Sequence, residues 1–157
     1  VNRRLLPELV LRQVLLKVSL LLYAFMRLQE LLEREYATDE RYSVDDLKKI
    51  QNATIAVQQY ARSKGINFIF ATHFFDRVPA KRGVGKITHD DVMDTCARIL
   101  TRGLTFFKGK EEGTTYVFFD KHTLLNIAVI KKEDNRFIAM SIVKDYRSLS
   151  RDQKITL

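Results

Sequence analysis

Three side chains suited to proton transfer and anion binding fall within one short stretch, Ile69-Phe70-Ala71-Thr72-His73-Phe74-Phe75-Asp76-Arg77-Val78-Pro79. Thr72 is a good helix N-cap and Pro79 a helix breaker, so one or two helical turns are expected between them. On such a turn His73, Asp76 and Arg77 stand at i, i+3 and i+4, which sets a group that exchanges protons near neutral pH beside a fixed cation. Phe74 and Val78 share another face, which can pack inward. The next loop carries Lys81, Arg82 and Lys86 among Gly83 and Gly85, a supply of mobile positive charge. The same spacing also suits an amphipathic turn whose His73 and Arg77 merely pair with neighbouring carboxylates.

Composition sets the class of partner. The 157 residues carry a formal charge of +8, with 46% hydrophobic and 29% charged residues, an ordinary globular balance shifted towards polyanions. Nucleic acid is therefore the favoured partner over an acidic membrane surface. Cys96 is the sole cysteine, which excludes an intrachain disulfide and a cysteine-based zinc cage. It lies on an apolar helical face, where a buried, inert thiol is expected. The chain contains no phosphate-binding loop, dinucleotide fingerprint or spaced metal-ligand set, so neither a metal nor a cofactor is expected.

The elements that must position His73 and Arg77 are legible in outline. From Pro7, placed in a first helical turn, apolar residues run almost without pause to Met26, with Lys17, Ser19 and Arg27 among the polar residues that interrupt or end the run. The unbroken stretch is shorter than the roughly 20 residues a bilayer requires, so no membrane span is expected. Its apolar surface is nevertheless wider than one core-facing stripe. Residues 5–32 are thus expected either to be covered within the chain or to contact a protein partner or a second copy. A polar connector, Glu33–Tyr42, leads to a helix capped by Ser43 with Asp46 in the capping-box position and stopped at Gly65. Thr88-His89-Asp90-Asp91 is a second capping box, opening a helix that ends at Gly103. Leu104–Phe107, Thr114–Phe119, Leu124–Ile130 and Phe137–Val143 are β-rich runs separated by turn residues, an expected antiparallel meander. Ile138, Met140 and Ile142 alternate, as do Leu125, Ile127 and Val129, leaving the second sheet face polar and open. The expectation is an α+β protein: a helical hairpin, residues 1–65, then a domain, residues 66–157. In that domain a short helix and a capped helix pack on a four-stranded antiparallel sheet.

The His73-Phe74-x-Asp76-Arg77-Val78 pattern, a basic loop, a capped helix, an antiparallel sheet and a basic C-terminal edge resemble the RelE/RegB-like ribonuclease superfamily. They also resemble uncharacterised small phage proteins with a similar motif. The resemblance covers roughly residues 67–157. It implies an endoribonuclease of the host cytoplasm, or a virion protein built on the same fold, with His73 and Arg77 in the active site.

The implied chemistry is attack of a ribose 2′-OH on the adjacent phosphate. It needs a base, cations for the developing charge and an acid for the leaving 5′-oxygen. His73 would be the base, Arg77 and Arg82 phosphate clamps, and Tyr146 or Arg147 the groups across the cleft. Lys81, Arg82, Lys86, Lys144 and Arg147 would hold RNA, and Phe107 and Tyr116 could stack a base. The alternative is a non-enzymatic phage structural or assembly protein that uses its apolar first helix for contacts.

Overall fold

The computed structural model describes residues 5–38, 41–80, 83–147 and 153–157. The chain divides into two compact units, Val1–Ala37 and Thr38–Leu157. The first is essentially one helix, α1, over Leu5–Thr38. Its Leu, Arg, Glu and Gln content favours helix, Pro7 is confined to the first turn, and no glycine interrupts it. The helix therefore continues through most of the stretch expected as a polar connector. Its apolar side chains between Leu9 and Leu28 are exposed. Glu8–Leu28, 21 residues, is long and apolar enough by length and composition to cross a membrane, although a signal sequence or the core helix of a soluble protein meets the same criterion.

The second unit is α+β. Among its described residues, α2 (Val44–Ser63), α3 (Thr72–Arg77) and α4 (His89–Thr101) accompany a five-stranded sheet. Its strands are β1 (Asn67–Phe70), β2 (Thr115–Phe119), β3 (Leu125–Lys131), β4 (Arg136–Lys144) and β5 (Lys154–Thr156), in the order β1-β4-β3-β2-β5. The centre is the expected antiparallel meander, but both edges are parallel: β1 pairs with β4 and β5 with β2. The sheet is thus mixed and five-stranded rather than four-stranded and antiparallel. The run Gly103–Phe107 is a 3-10 turn, not a strand. There a side chain at Gly103 would collide with the Phe118 ring, its Cβ falling 2.7 Å from a ring carbon. Within this unit α2 packs on α4 and β1.

The core lies between the helices and one sheet face. Ile50, Val57 and Ala61 of α2 and Val92, Cys96 and Ile99 of α4 meet Phe118, Leu125, Ile127 and Val129. Phe68, Phe70 and Phe74 continue it around α3 through edge-to-face ring contacts, with centroids 5.3 and 4.9 Å apart. The alternation in β4 breaks at a bulge: Ala128 pairs with Ser141 and Val129 with Ala139, which leaves Met140 as the extra residue. Phe137, Ala139 and Ile142 therefore face the core, whereas Met140 is exposed. The opposite sheet face is not polar as expected. It carries half-buried Ile69, Val117, Ala128, Ile130 and Ile138.

Candidate functional site

The start of α3 is set by the sheet. Ala71 is still extended, with its N–H on the Ala139 carbonyl at 2.9 Å, so it occupies the cap position and Thr72 becomes the first helical residue. No side chain caps this helix. Parallel pairing brings the exits of β1 and β4 to the same end of the sheet, so α3 packs against β4. Phe74 is fully buried, Val78 is buried, and His73 is exposed, as the helical phase requires. Arg77 Nε–H donates to His73 Nε2 over 2.9 Å. The histidine and the cation are thus in direct contact. The arginine, not the imidazole, is the donor.

The remaining cations divide into two kinds. Lys86 Nζ binds Asp46 Oδ2 at 2.5 Å and lies over the Tyr42 ring, 5.6 Å from its centroid. Lys144 Nζ binds Asp91 Oδ2 at 3.0 Å and the Lys86 carbonyl at 3.2 Å. Both carboxylates are the capping-box residues of their helices: Asp46 also accepts the Ser43 N–H at 3.0 Å, and Asp91 the Thr88 N–H at 3.3 Å. The Lys86 hydrogen bond, then the Ser43 N–H, lower the Asp46 carboxyl to about 2. Lys86 and Lys144, both expected among the RNA-holding cations, are thus each paired with a carboxylate at the N-termini of α2 and α4. The loop is pinned here as well. Val84 N–H donates to the Lys144 carbonyl at 2.8 Å, and Gly83 adopts φ +77° so close to that oxygen that a Cβ would stand 1.8 Å from it.

Tyr146 is 73% exposed just beyond β4, whose exit lies at the same end of the sheet as α3. The Arg147 side chain is exposed while its backbone is fixed: its N–H donates to Asp145 Oδ1 and its carbonyl accepts from Asn126 Nδ2, each at 3.2 Å. Among the described residues, no hydrogen bond or ion pair joins Tyr146 or Arg147 to His73 or Arg77. Lys81 and Arg82 lie outside the described residues. Phe107 is buried, with its ring 4.8 Å from Tyr116 and 5.2 Å from Phe137, which removes it as a base-stacking surface. His89 sits in the first turn of α4 beside Asp90. Burial pushes the Cys96 thiol up to about 12, the inert state expected. Among the described residues no group of three or more His, Cys, Asp or Glu is arranged to hold a metal ion.

The sequence reading missed one polar cluster. Asp120, at the end of β2, is fully buried and accepts from Thr95 Oγ1 at 3.0 Å, the His122 N–H at 2.9 Å and Arg98 Nη1. Burial alone would raise its carboxyl, but the His122 amide, the Thr95 hydroxyl and Arg98 outweigh it and hold the pKa below the ordinary aspartate value. Thr95 Oγ1 also meets Thr123 Oγ1 at 2.5 Å, tying α4 to the β2–β3 turn. That turn contains Leu124 at φ +64°, costly for a residue with a bulky side chain. The signal was an Asp directly after an apolar strand, the pattern of a side chain bonding its own turn.

A second carboxylate group, Glu112, Glu133 and Asp134, borders a shallow depression at the other end of the sheet, with Lys132 and Arg136 between them. The Glu112 side-chain hydrogen bond, then the charges of Glu112 and Asp134, raise the Glu133 carboxyl. No protein-family model, curated protein or solved structure matches the chain.

Proposed function

We propose that the second unit binds RNA and acts as a metal-independent, endoribonuclease-like phage protein at α3, in the host cytoplasm. The observation that carries this reading is the solvent-facing contact of Arg77 Nε–H with His73 Nε2 at 2.9 Å. A guanidinium offers five donors in a fork, so Arg77 can grip a phosphate through its terminal nitrogens. When the guanidinium moves onto the phosphate, the Nε2 lone pair is released. His73 then takes the 2′-OH proton, the 2′-oxygen bonds to phosphorus, and the P–O5′ bond breaks. A 2′,3′-cyclic phosphate remains, and Tyr146 supplies the proton that leaves with the 5′-oxygen. Arg147, with Lys81 and Arg82, contributes charge for the RNA backbone.

The test is incubation of the purified chain with mixed RNA, with and without a chelator. Cleavage that survives chelation, leaves cyclic phosphate ends and disappears in a folded His73→Ala variant supports the reading. Cleavage undiminished by that substitution removes His73 from it. A second reading, a non-enzymatic phage structural or assembly protein of the virion, is favoured by the exposed apolar side chains of α1. Failure to retain RNA even at low salt would leave that reading standing.

A further inference from the structure

α1 is apolar on every face. Successive residues of a helix turn by about 100°, so Leu20, Leu21 and Leu22 open in three directions, and Leu16 and Met26 fall in the gap that remains. All five are 57 to 70% exposed. A helix that is apolar all round belongs inside a core or inside a bilayer. None of the apolar stretch within Glu8–Leu28 is buried, so the described residues supply no core for it.

We propose that Glu8–Leu28 spans a lipid bilayer and anchors the second unit to it. Length is the first support. The 21 residues, at a rise of about 1.5 Å each, reach roughly 31 Å, the thickness of a bilayer's hydrocarbon layer. The helix continues to Thr38, but the apolar character does not: Glu30, Glu33, Arg34 and Glu35 follow directly. A contact with another protein helix has no reason to end at that length, whereas a hydrocarbon layer does. The charges are the second support. Glu8 and Arg27 stand at the two ends of the segment. Arg12 is about one turn inside, and helical side chains lean towards the N-terminus, so its stem carries the guanidinium to the nearer interface. Lys17, near the midpoint, remains in the hydrocarbon. On insertion scales a central lysine cancels about seven leucine-like side chains, and the segment carries twelve Leu, Val and Phe residues. An unbroken apolar run is therefore not required for a span. The proposal goes beyond the RNA reading of α3 and does not rest on it.

The balance at Lys17 supplies the test. The full chain and its Leu21→Lys and Lys17→Leu variants are produced in bacterial cells. Membranes are floated on a density gradient, then washed with high salt and with alkaline carbonate. Melting of each variant in detergent confirms that the second unit is folded. The expected result is a wild-type chain of 18.3 kDa that floats and survives both washes. Leu21→Lys adds a second central charge one turn from Lys17, more than the apolar side chains offset, and should lower the carbonate-resistant fraction several-fold. Lys17→Leu should retain at least as much as the wild type. Release by salt or carbonate would leave α1 on the membrane surface and overturn the span. A wild-type chain found soluble, as a monomer or an oligomer, would overturn it too. So would a chain shortened by the loss of α1, the mark of a removed signal sequence, or a Leu21→Lys chain that resists carbonate as fully as the wild type.

Discussion

Arg77 occupies the lone pair of His73 that a general base would use: its Nε–H points at Nε2 from one helical turn away, at 2.9 Å. The histidine in this arrangement is held, not idle. On the proposed reading, proton abstraction would require the arginine to be drawn elsewhere, and a phosphate would be the group that draws it. Activity would then depend on Arg77 in two ways, as clamp and as release.

Replacing His73 with Ala should lower RNA cleavage by about 100-fold or more, the usual contribution of a positioned base, with little change in melting because the side chain is exposed. Arg77→Lys should retain part of the RNA affinity but lose most of the turnover, since an ammonium cannot offer the same fork. Cleavage rates and RNA retention measured on the same preparations separate the two roles.

Lys86 and Lys144 should behave as structural residues. Lys144→Ala leaves Asp91 without its cation and the loop carbonyl of Lys86 without its donor, at a cost on the order of 1 kcal/mol. Lys86→Ala should lower the melting temperature as well. The salt dependence of RNA binding should hardly change in either variant, whereas Arg147→Ala should reduce its slope. Thermal melts and binding titrations across ionic strength read the two effects separately.

Acid should destabilise the fold through Asp46 and Asp120. Both carboxyls titrate below their ordinary value in the fold, Asp46 at about 2, so the folded state binds fewer protons than the unfolded chain. Their contribution is complete above the unfolded aspartate range and is lost as pH falls, between about pH 5 and pH 2. Melting measured down this range should show a steep decline, shallower in Asp46→Asn.

Asp120→Ala should be among the most destabilising polar substitutions, costing roughly 3 kcal/mol by leaving Arg98 and Thr95 without their acceptor. Leu124 would lose the neighbouring carboxylate that organises its turn. Denaturant titration measures the loss, and hydrogen exchange at the His122 amide should rise with it.

The cysteine offers a further check on packing. Cys96 is fully buried with its thiol raised to about 12, so a thiol reagent should modify it only as fast as the fold opens.

What the sequence disclosed was local. The Ser43–Asp46 and Thr88–Asp91 boxes, the stop at Gly65 and the exposed His73–Arg77 face depend on residues a few positions apart, and each is present. The parallel edges were hidden because β1 and β4 are separated by most of the unit, and pairing at that distance leaves no mark on either strand. The Met140 bulge was hidden for a related reason: Ile138, Met140 and Ile142 alternate well, and only the register against Val129 and Ala128 shows the phase slip. The lysines Lys86 and Lys144 looked like free charge because their partners are carboxylates on other elements, Asp46 and Asp91.

The short strand β5 has a protective role that its size conceals. Val117 N–H is taken by the Gln153 carbonyl at 2.9 Å, and the Phe119 carbonyl by the Leu157 N–H at 2.8 Å. Without Gln153–Leu157, β2 would present a bare row of donors and acceptors beside Val117 and Phe119. Such an edge templates strand addition from other molecules. A proteolytic cut before Gln153 would therefore turn a guarded sheet into a seed for aggregation while leaving α3 untouched.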